Sequence, residues 1–167
     1  MVTGCIVVGV TAHQPPLVLR QAARFGRRFD AKLVCAHVAE DHYVVAEHPD
    51  GSVDSRPIDP DLIEWATAVF DHDLAERIEA LARDEQVAVE FRELAGGTGH
   101  ALGRLAEVLD AEMIVVGSRW GGLRASVHEF LGGSVAVHLA HRQPRPVVVV
   151  PVAPLPEGTR LPWEQEA

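Results

Sequence analysis

The stretch Met113–Pro151 constrains the fold of this chain more than any other. It contains an apolar run, a glycine-rich passage, a pattern of helical spacing that ends near His141, and the four valines Val147–Val150. Short apolar runs bounded by turn signals are typical of strands buried on both faces of a parallel sheet. Glycines directly after such a strand let the backbone approach a ligand closely, and a helix beginning at Ser134 would direct free N–H groups at an anion. This succession of elements is typical of a nucleotide site.

Composition and charge exclude several classes of partner. A chain of 167 residues is expected to form one domain, and its net charge of −9 argues against a nucleic-acid groove, which requires a basic stripe. The amino terminus lacks the basic segment of a signal peptide, and no apolar run is long enough to span a bilayer. Cys5 and Cys35 each lie in an apolar run and are interpreted as core thiols, the alternative being a redox couple. We therefore expect a cytoplasmic protein without a nucleic-acid or membrane partner.

Strand and helix patterns alternate along the chain. Strands are predicted at Cys5–Val10, Lys32–Val38, Val87–Leu94, Met113–Val116 and Val147–Val150. Helices are predicted after Pro15–Pro16, over Asp61–Asp84 with Asp59 or Asp61 as cap, over Ala101–Leu109 and from Ser134. The alternation predicts an α/β fold, a doubly wound five-stranded parallel sheet with strand order 3-2-1-4-5, as a single domain over residues 1–151.

That strand order reverses between the first and fourth strands. Ligands of open α/β sheets lie at such a switch point, outside the carboxyl ends of the strands. The sequence therefore predicts a ligand site over the loops that begin at Thr11 and Gly117.

Two further segments fall outside the alternation. Glu40–Pro60 is rich in acidic residues, histidine, glycine and proline, and is interpreted as an exposed loop, either a lid over the site or a disordered insertion. Residues 152–167 are predicted to form an extended, proline-rich tail that packs on a partner subunit through Trp163.

Several runs of residues resemble the universal stress protein family. The runs that carry the resemblance are Ile6–Val10, Cys35–Val38, Met113–Arg119 with the glycines after it, Gly133–Val135 and Arg145–Val149. The resemblance covers the chain from about Cys5 to Pro151. It implies a cytoplasmic α/β protein, usually dimeric, that acts as a regulator in stress. One branch of the family binds ATP and another does not.

The glycine loop departs from the motif of the ATP-binding branch. That motif reads glycine, two residues, glycine, nine residues, glycine, then serine or threonine. Gly117 holds the first place, but Trp120 holds the fourth, and Gly121 and Gly122 come one and two places late. The closing pair is Gly133–Ser134. Trp120 is interpreted either as a stacking surface for a base or as an apolar plug.

The first loop departs as well, because Thr11 stands where the ATP-binding members carry an aspartate that holds the ribose. By resemblance, adenine would lie near Val38 and Val116, ribose near Thr11, and phosphates along the glycines. The residues so implied as nucleotide-binding are Gly9, Val10, Thr11, Val38, Val116, Gly117, Arg119, Gly121, Gly122, Gly133, Ser134 and Val135. ATP or AMP is the expected ligand, bound weakly or not at all, and the sequence requires no metal.

The valines Val147, Val148, Val149 and Val150 form the last predicted strand, at a sheet edge. An uncharged apolar edge invites pairing, so we expect a homodimer through this strand, as the resemblance also implies.

Other site chemistries fit the residues less well. His138 and His141 share a helical face, but a metal would need further ligands, for which His128 and Glu129 are the local candidates. Ser118, Ser126 and Ser134 lack the glycine spacing of a hydrolase nucleophile. The turn at Gly96–Gly99 could bind an anion, but an ordinary turn and helix cap is the preferred interpretation.

Three functions follow from these patterns. The favoured one is a dimeric universal-stress-type regulator with a weak adenine-nucleotide site. The alternative is a member that binds no nucleotide and acts through protein–protein contacts with a regulatory partner. The third is a slow phosphotransfer enzyme, with at most slow ATP hydrolysis, for which no base or metal carboxylate converges in the glycine loop.

Overall fold

The structure is a computed structural model, and it describes residues 4–59, 61, 70–118 and 135–152. In chain order, the strands and α-helices of these residues are β1 (Gly4–Gly9), α1 (Pro16–Phe29), β2 (Ala31–Ala39), β3 (His42–Glu47), β4 (Val53–Pro57), α2 (His72–Asp84), β5 (Val89–Ala95), α3 (Thr98–Val108), β6 (Met113–Gly117), α4 (Val135–Arg142) and β7 (Val147–Val150).

Within the described residues, β1, β2, β5, β6 and β7 form one parallel sheet in the order β5-β2-β1-β6-β7. Counted along the chain as the strands of this sheet alone, that order is 3-2-1-4-5, so the predicted topology is confirmed. The switch point lies between β1 and β6, which pair through Ile6–Met113 to Val8–Val115.

A hydrophobic core covers each face of the sheet, because alternate residues of the central strands point to opposite sides. Ile6 and Val8 of β1 pack with α1 and α2, whereas Val7 packs with Leu102 of α3 and Leu139 of α4. All five side chains are fully buried. This double burial explains why the central strands read as continuous apolar runs.

Helix α1 is opened by prolines, as the sequence indicates. Pro15 is the N-cap and Pro16 the first helical residue. Gly26 lies inside the helix, where an added Cβ would stand 2.9 Å from both Ala31 O and Val87 Cγ2. A glycine is needed there because the helix passes so close to the start of β2. The helix ends at Asp30, which adopts a left-handed conformation with φ 50°.

The prediction of one helix over Asp61–Asp84 is wrong. Helix α2 begins at His72, and its N-cap is Asp71, whose carboxylate accepts a hydrogen bond of 2.7 Å from Leu74 N. Asp59 instead bonds to Asp61 N at 3.0 Å. Beyond the cap, the apolar stripe of this helix is buried at Leu74, Ile78 and Ala82, and Leu81 packs against the core. The earlier part of the predicted stripe, Leu62, Ala66 and Val69, lies outside the described residues.

The interpretation of Glu40–Pro60 as a loop is also wrong. Strands β3 and β4 pair antiparallel, from His42–Pro57 to Glu47–Val53, as a hairpin. Gly51, in its turn, has φ 79° and is buried against α3. An added Cβ at this position would clash with the side chain of Leu105. The segment is therefore an ordered hairpin that packs on the domain.

The two cysteines are free thiols buried in the core, as expected. Burial raises the pKa of the Cys35 thiol to about 12, so this thiol stays protonated at neutral pH. Of the predicted tail, Val152 is described: its N–H donates to Ser118 Oγ, and its side chain packs against the core. Residues 153–167, Trp163 included, lie outside the described residues. None of the described helices is long and apolar enough to cross a membrane.

Candidate functional site

The carboxyl ends of β1 and β6 meet at the switch point of the sheet. Val10 and Val116, which lie at the ends of these strands, are almost fully buried. Val10 N donates a 2.9 Å hydrogen bond to Ala36 O of β2, so the chain keeps its strand direction one residue past β1. The site that the sequence predicts therefore has an apolar, well-packed floor.

Gly9 and Gly117 both lie at crowded positions, where a Cβ would make tight contacts with neighbouring side chains. A Cβ at Gly9 would lie 3.0 Å from Leu102 Cδ1 and 3.3 Å from Val116 Cγ1. A Cβ at Gly117 would lie 3.1 Å from Gln14 Nε2, Val18 Cγ2 and Val152 Cγ1. These glycines thus let α3, the first loop and the chain after β7 close onto the strand ends.

The loop after β1 is held in place from two sides. Gln14 N donates to Thr11 O at 3.1 Å, and the Gln14 side chain reaches back to Gly9 O at 3.3 Å. From α2, Arg77 Nη2 donates to Ala12 O at 3.0 Å. Thr11 is exposed beyond the carboxyl end of β1, where its hydroxyl can offer a hydrogen bond but no charge.

Ser118 has a structural role at the start of the glycine loop. Its N–H donates to Val150 O at 2.8 Å, and its hydroxyl accepts from Val152 N at 3.1 Å. The hydroxyl links β6 to the chain after β7, which explains its polarity without a nucleophilic function.

The predicted nucleotide residues separate into three groups. Gly9, Val10, Thr11, Val116 and Gly117 lie together at the switch point. Val38 and Val135 pack against the core cluster on the α3–α4 face, beside that edge. Arg119, Gly121, Gly122, Gly133 and Ser134, with Trp120, lie outside the described residues.

One pair of polar residues near the site was missed by sequence reasoning. His37 Nδ1 lies 2.7 Å from Glu93 Oε1, across the register partners of β2 and β5. The hydrogen bond to Glu93 raises the pKa of His37, and partial burial opposes that shift. Phe70 meets the imidazole edge-on at 6.5 Å. The second oxygen of Glu93 is buried without a hydrogen-bond partner among the described residues.

The histidines weighed as metal ligands pack differently from a metal site. The ring of His138 lies against the backbone of Gly99, where a Cβ would stand 2.7 Å from its Cδ2. Within the part of the chain that the structure describes, no three His, Cys, Asp or Glu residues are grouped to hold a metal ion.

The fold is that of several solved universal stress proteins. A universal stress protein from Archaeoglobus fulgidus superimposes with a TM-score of 0.58 at 20% identity, covering 89% of this chain and 98% of that one. One solved in complex with cAMP gives 0.61 at 21% identity, covering 92% and 100%. A family protein from Arabidopsis thaliana with AMP bound gives 0.55 at 14%, covering 90% and 93%. At these identities the likeness shows the fold alone.

No curated protein matches the sequence at a significant level. The sequence profile described as "Universal stress protein family", however, matches residues 5–151, which is nearly the whole chain. That span includes both strand ends of the switch point, the first loop and the edge strand. The chain belongs to the universal stress protein family.

Proposed function

We propose that this protein is a cytoplasmic, homodimeric regulator that binds an adenine nucleotide weakly at the switch point and turns it over slowly or not at all. The observation that carries the proposal is the meeting of Thr11 and Gly117 at adjacent strand ends, over the buried floor of Val10 and Val116.

Structural relatives support an adenine-nucleotide ligand. Universal stress proteins have been solved in complex with cAMP, with dAMP and with AMP. These ligands share adenine, a ribose or deoxyribose sugar and one phosphate. The present chain offers an apolar edge for the base at Val38 and Val116, and a hydroxyl for the ribose at Thr11.

The phosphate contribution would come from backbone groups. Helix α4 is described from Val135, directly after the Gly133–Ser134 pair. The first N–H groups of a helix are unpaired within it, and its dipole is positive at that end. Gly117 lets the chain leave β6 at the switch point, so the glycine loop starts next to Thr11.

Weak binding is proposed because Thr11 lacks a charge. Hydrogen bonds to charged groups contribute about 1.5–3 kcal/mol, so a threonine in place of a carboxylate weakens binding roughly ten- to a hundredfold. Slow or absent turnover is proposed because Ser118 is engaged with Val152 and Thr11 is no general base.

Calorimetric titration with AMP and with ATP tests the proposal. We expect weak binding to the native protein and binding roughly tenfold or more tighter for Thr11→Asp, because the carboxylate accepts from the ribose hydroxyls. Thr11→Asn is the matched control, because asparagine has the size of aspartate without its charge. Its affinity for AMP should be close to that of the native protein. Gly133→Val should abolish binding.

Two results would contradict this proposal. Tight binding that survives Gly133→Val would place the nucleotide elsewhere. Absence of binding in both the native protein and Thr11→Asp would favour the alternative function, contact with a protein partner. The exposed apolar side chains of the hairpin, Tyr43, Val45 and Ile58, are the observation that supports that alternative.

A further inference from the structure

A cavity of about 520 Å³ lies between the β3–β4 hairpin and helix α3. None of the predicted nucleotide residues that the structure describes lines it. Its volume falls within the roughly 300–1,000 Å³ of pockets that enclose small organic ligands. The cavity is therefore large enough for a ligand separate from a nucleotide at the switch point.

The walls of this cavity, here called the hairpin pocket, are largely apolar. Leu94 and Ala95, at the end of β5, and Ala101 and Leu105 of α3 form the sheet and helix side. Hairpin residues Tyr43, Val44, Val53 and Ile58 form the opposite side. Tyr43 and Ile58 are about half exposed or more, at 49% and 65%, so apolar surface stays in contact with water while the pocket is empty. A ligand that covers this surface would bind favourably.

Links between the hairpin and α3 close the pocket at two points. Next to the start of the hairpin, Thr98 Oγ1 donates to Glu40 Oε1. At the far end of β3, Arg104 Nε lies 3.1 Å from Glu47 Oε2. An extended peptide would have to break these links to pass through, whereas a compact molecule would fit between them.

The hairpin turn that frames the pocket is preorganised. His48 N donates to Ser52 O, Gly51 N donates to His48 O, and both the N–H and the hydroxyl of Ser52 bond to Asp50 Oδ1. From β5, Arg92 Nε donates to Asp50 O at 3.1 Å. The turn is held by hydrogen bonds within itself and to the sheet. A ligand would therefore enter a preformed site, and little conformational entropy would be lost on binding.

The charges around the pocket disfavour an anionic ligand. Arg104 is already neutralised by Glu47 and by Glu107, the latter at 2.7 Å. Glu40 adds a further negative charge to the wall. An anion would therefore face carboxylates and an arginine that already has two partners, whereas an uncharged molecule meets apolar walls.

We propose that the hairpin pocket binds a small, uncharged, predominantly apolar or aromatic molecule. Its site is separate from the nucleotide site, so the chain would carry a second ligand site between the β3–β4 hairpin and α3. The ligand stacks against Tyr43 and fills the space between Val44 and Ala101.

Two dyes that differ by one charged group test the ligand class. N-phenyl-1-naphthylamine is neutral, and 8-anilino-1-naphthalenesulfonate has the same ring system with a sulfonate. In fluorescence titrations at about pH 8, we expect saturable one-to-one binding of the neutral dye, and at least tenfold weaker binding of the anionic one. Saturating AMP should leave the neutral dye bound.

Two neighbouring valines provide matched variants for the location. Val44 lines the pocket, whereas Val45 is exposed on the same strand and does not. Val44→Lys should weaken binding of the neutral dye at least tenfold, and Val45→Lys should leave the affinity for this dye unchanged. Ala101→Phe, which fills the pocket from the helix side, should weaken it as well, with the fold of each variant verified by circular dichroism.

Several results would overturn the proposal. Equal affinity of Val44→Lys and Val45→Lys for the neutral dye would place the dye elsewhere, and competitive displacement by AMP would place it at the nucleotide site. Absence of saturable binding by the native protein would exclude the ligand class. A dye signal that rises on dilution would show instead that a second copy of the chain fills the pocket. The comparison of the two dyes and that of the two valine variants give their answers whether or not AMP itself binds.

Discussion

At the scale of single residues, His37 and Glu93 form a pair whose strength depends on pH. They lie on adjacent strands at the carboxyl end of the sheet, and Asp71 and Asp41 add favourable charge near the imidazole. Phe70 packs edge-on against the imidazole, with Phe91 against Phe70, and the pair is partly buried. The pair thus links β2 to the edge strand β5 through a proton.

The direction of this pH dependence follows from the raised pKa of His37. A histidine whose pKa is raised on folding stabilises the fold fully below its unfolded value of about 6.5, and the gain is lost as pH rises through the folded value. We expect the free energy of unfolding, measured in urea from about pH 6 to 9, to fall more steeply for the native protein than for Glu93→Gln. Identical slopes for the two proteins would exclude the pair as the cause.

At the scale of elements, the cap of α2 is set by Asp71. Its carboxylate satisfies Leu74 N, one of the unpaired N–H groups of the first turn, and lies at the positive end of the helix dipole. The ring of Phe70, the residue before this cap, lies 4.8 Å from that of Phe91.

Replacement of Asp71 by alanine should lower the free energy of unfolding by about 1 kcal/mol, the usual effect of losing an N-cap. Asp59→Ala is the control, because Asp59 was one of the two caps expected from sequence and accepts instead from Asp61 N. It should change stability by less than about 0.5 kcal/mol. Urea denaturation of both variants and the native protein at one pH measures both. Equal effects of the two changes would argue against a cap at Asp71.

The elements also show where sequence reasoning succeeds. The buried strands were predicted because their residues are apolar on both faces, and the switch point followed from their order. The hairpin was missed because a register shift between Val44 and Ala46 breaks the alternation that marks a strand, and leaves Tyr43, Val44 and Val45 exposed in succession. The His37–Glu93 pair depends on strand register, which a single sequence does not reveal.

At the scale of the whole molecule, β7 is an edge strand of the described sheet, paired with β6 on one side. Val147 and Val148 pack against the two cores, whereas Val149 is 44% exposed. An uncharged edge of this kind invites pairing with a second copy, which supports the proposed homodimer.

Val149→Lys should convert the dimer to a monomer, because it places a charge on the edge while sparing the core valines. Val45→Lys is the control, since it changes an exposed valine away from that edge. Sedimentation over a range of protein concentrations measures both. If Val149→Lys dimerises with unchanged affinity, the subunits do not meet through this strand.

The central position of β1 has a consequence for how the chain is made. Strand β1 and its neighbour β2 both emerge early in synthesis, but the other neighbour, β6, begins only at Met113. At about 5–20 residues per second, a ribosome takes roughly 5–20 s to deliver that partner. During this interval one edge of this apolar strand has no partner within its own sheet. We therefore expect nascent chains of this protein to depend on chaperones until β6 has emerged, although the finished sheet protects β1 on both sides.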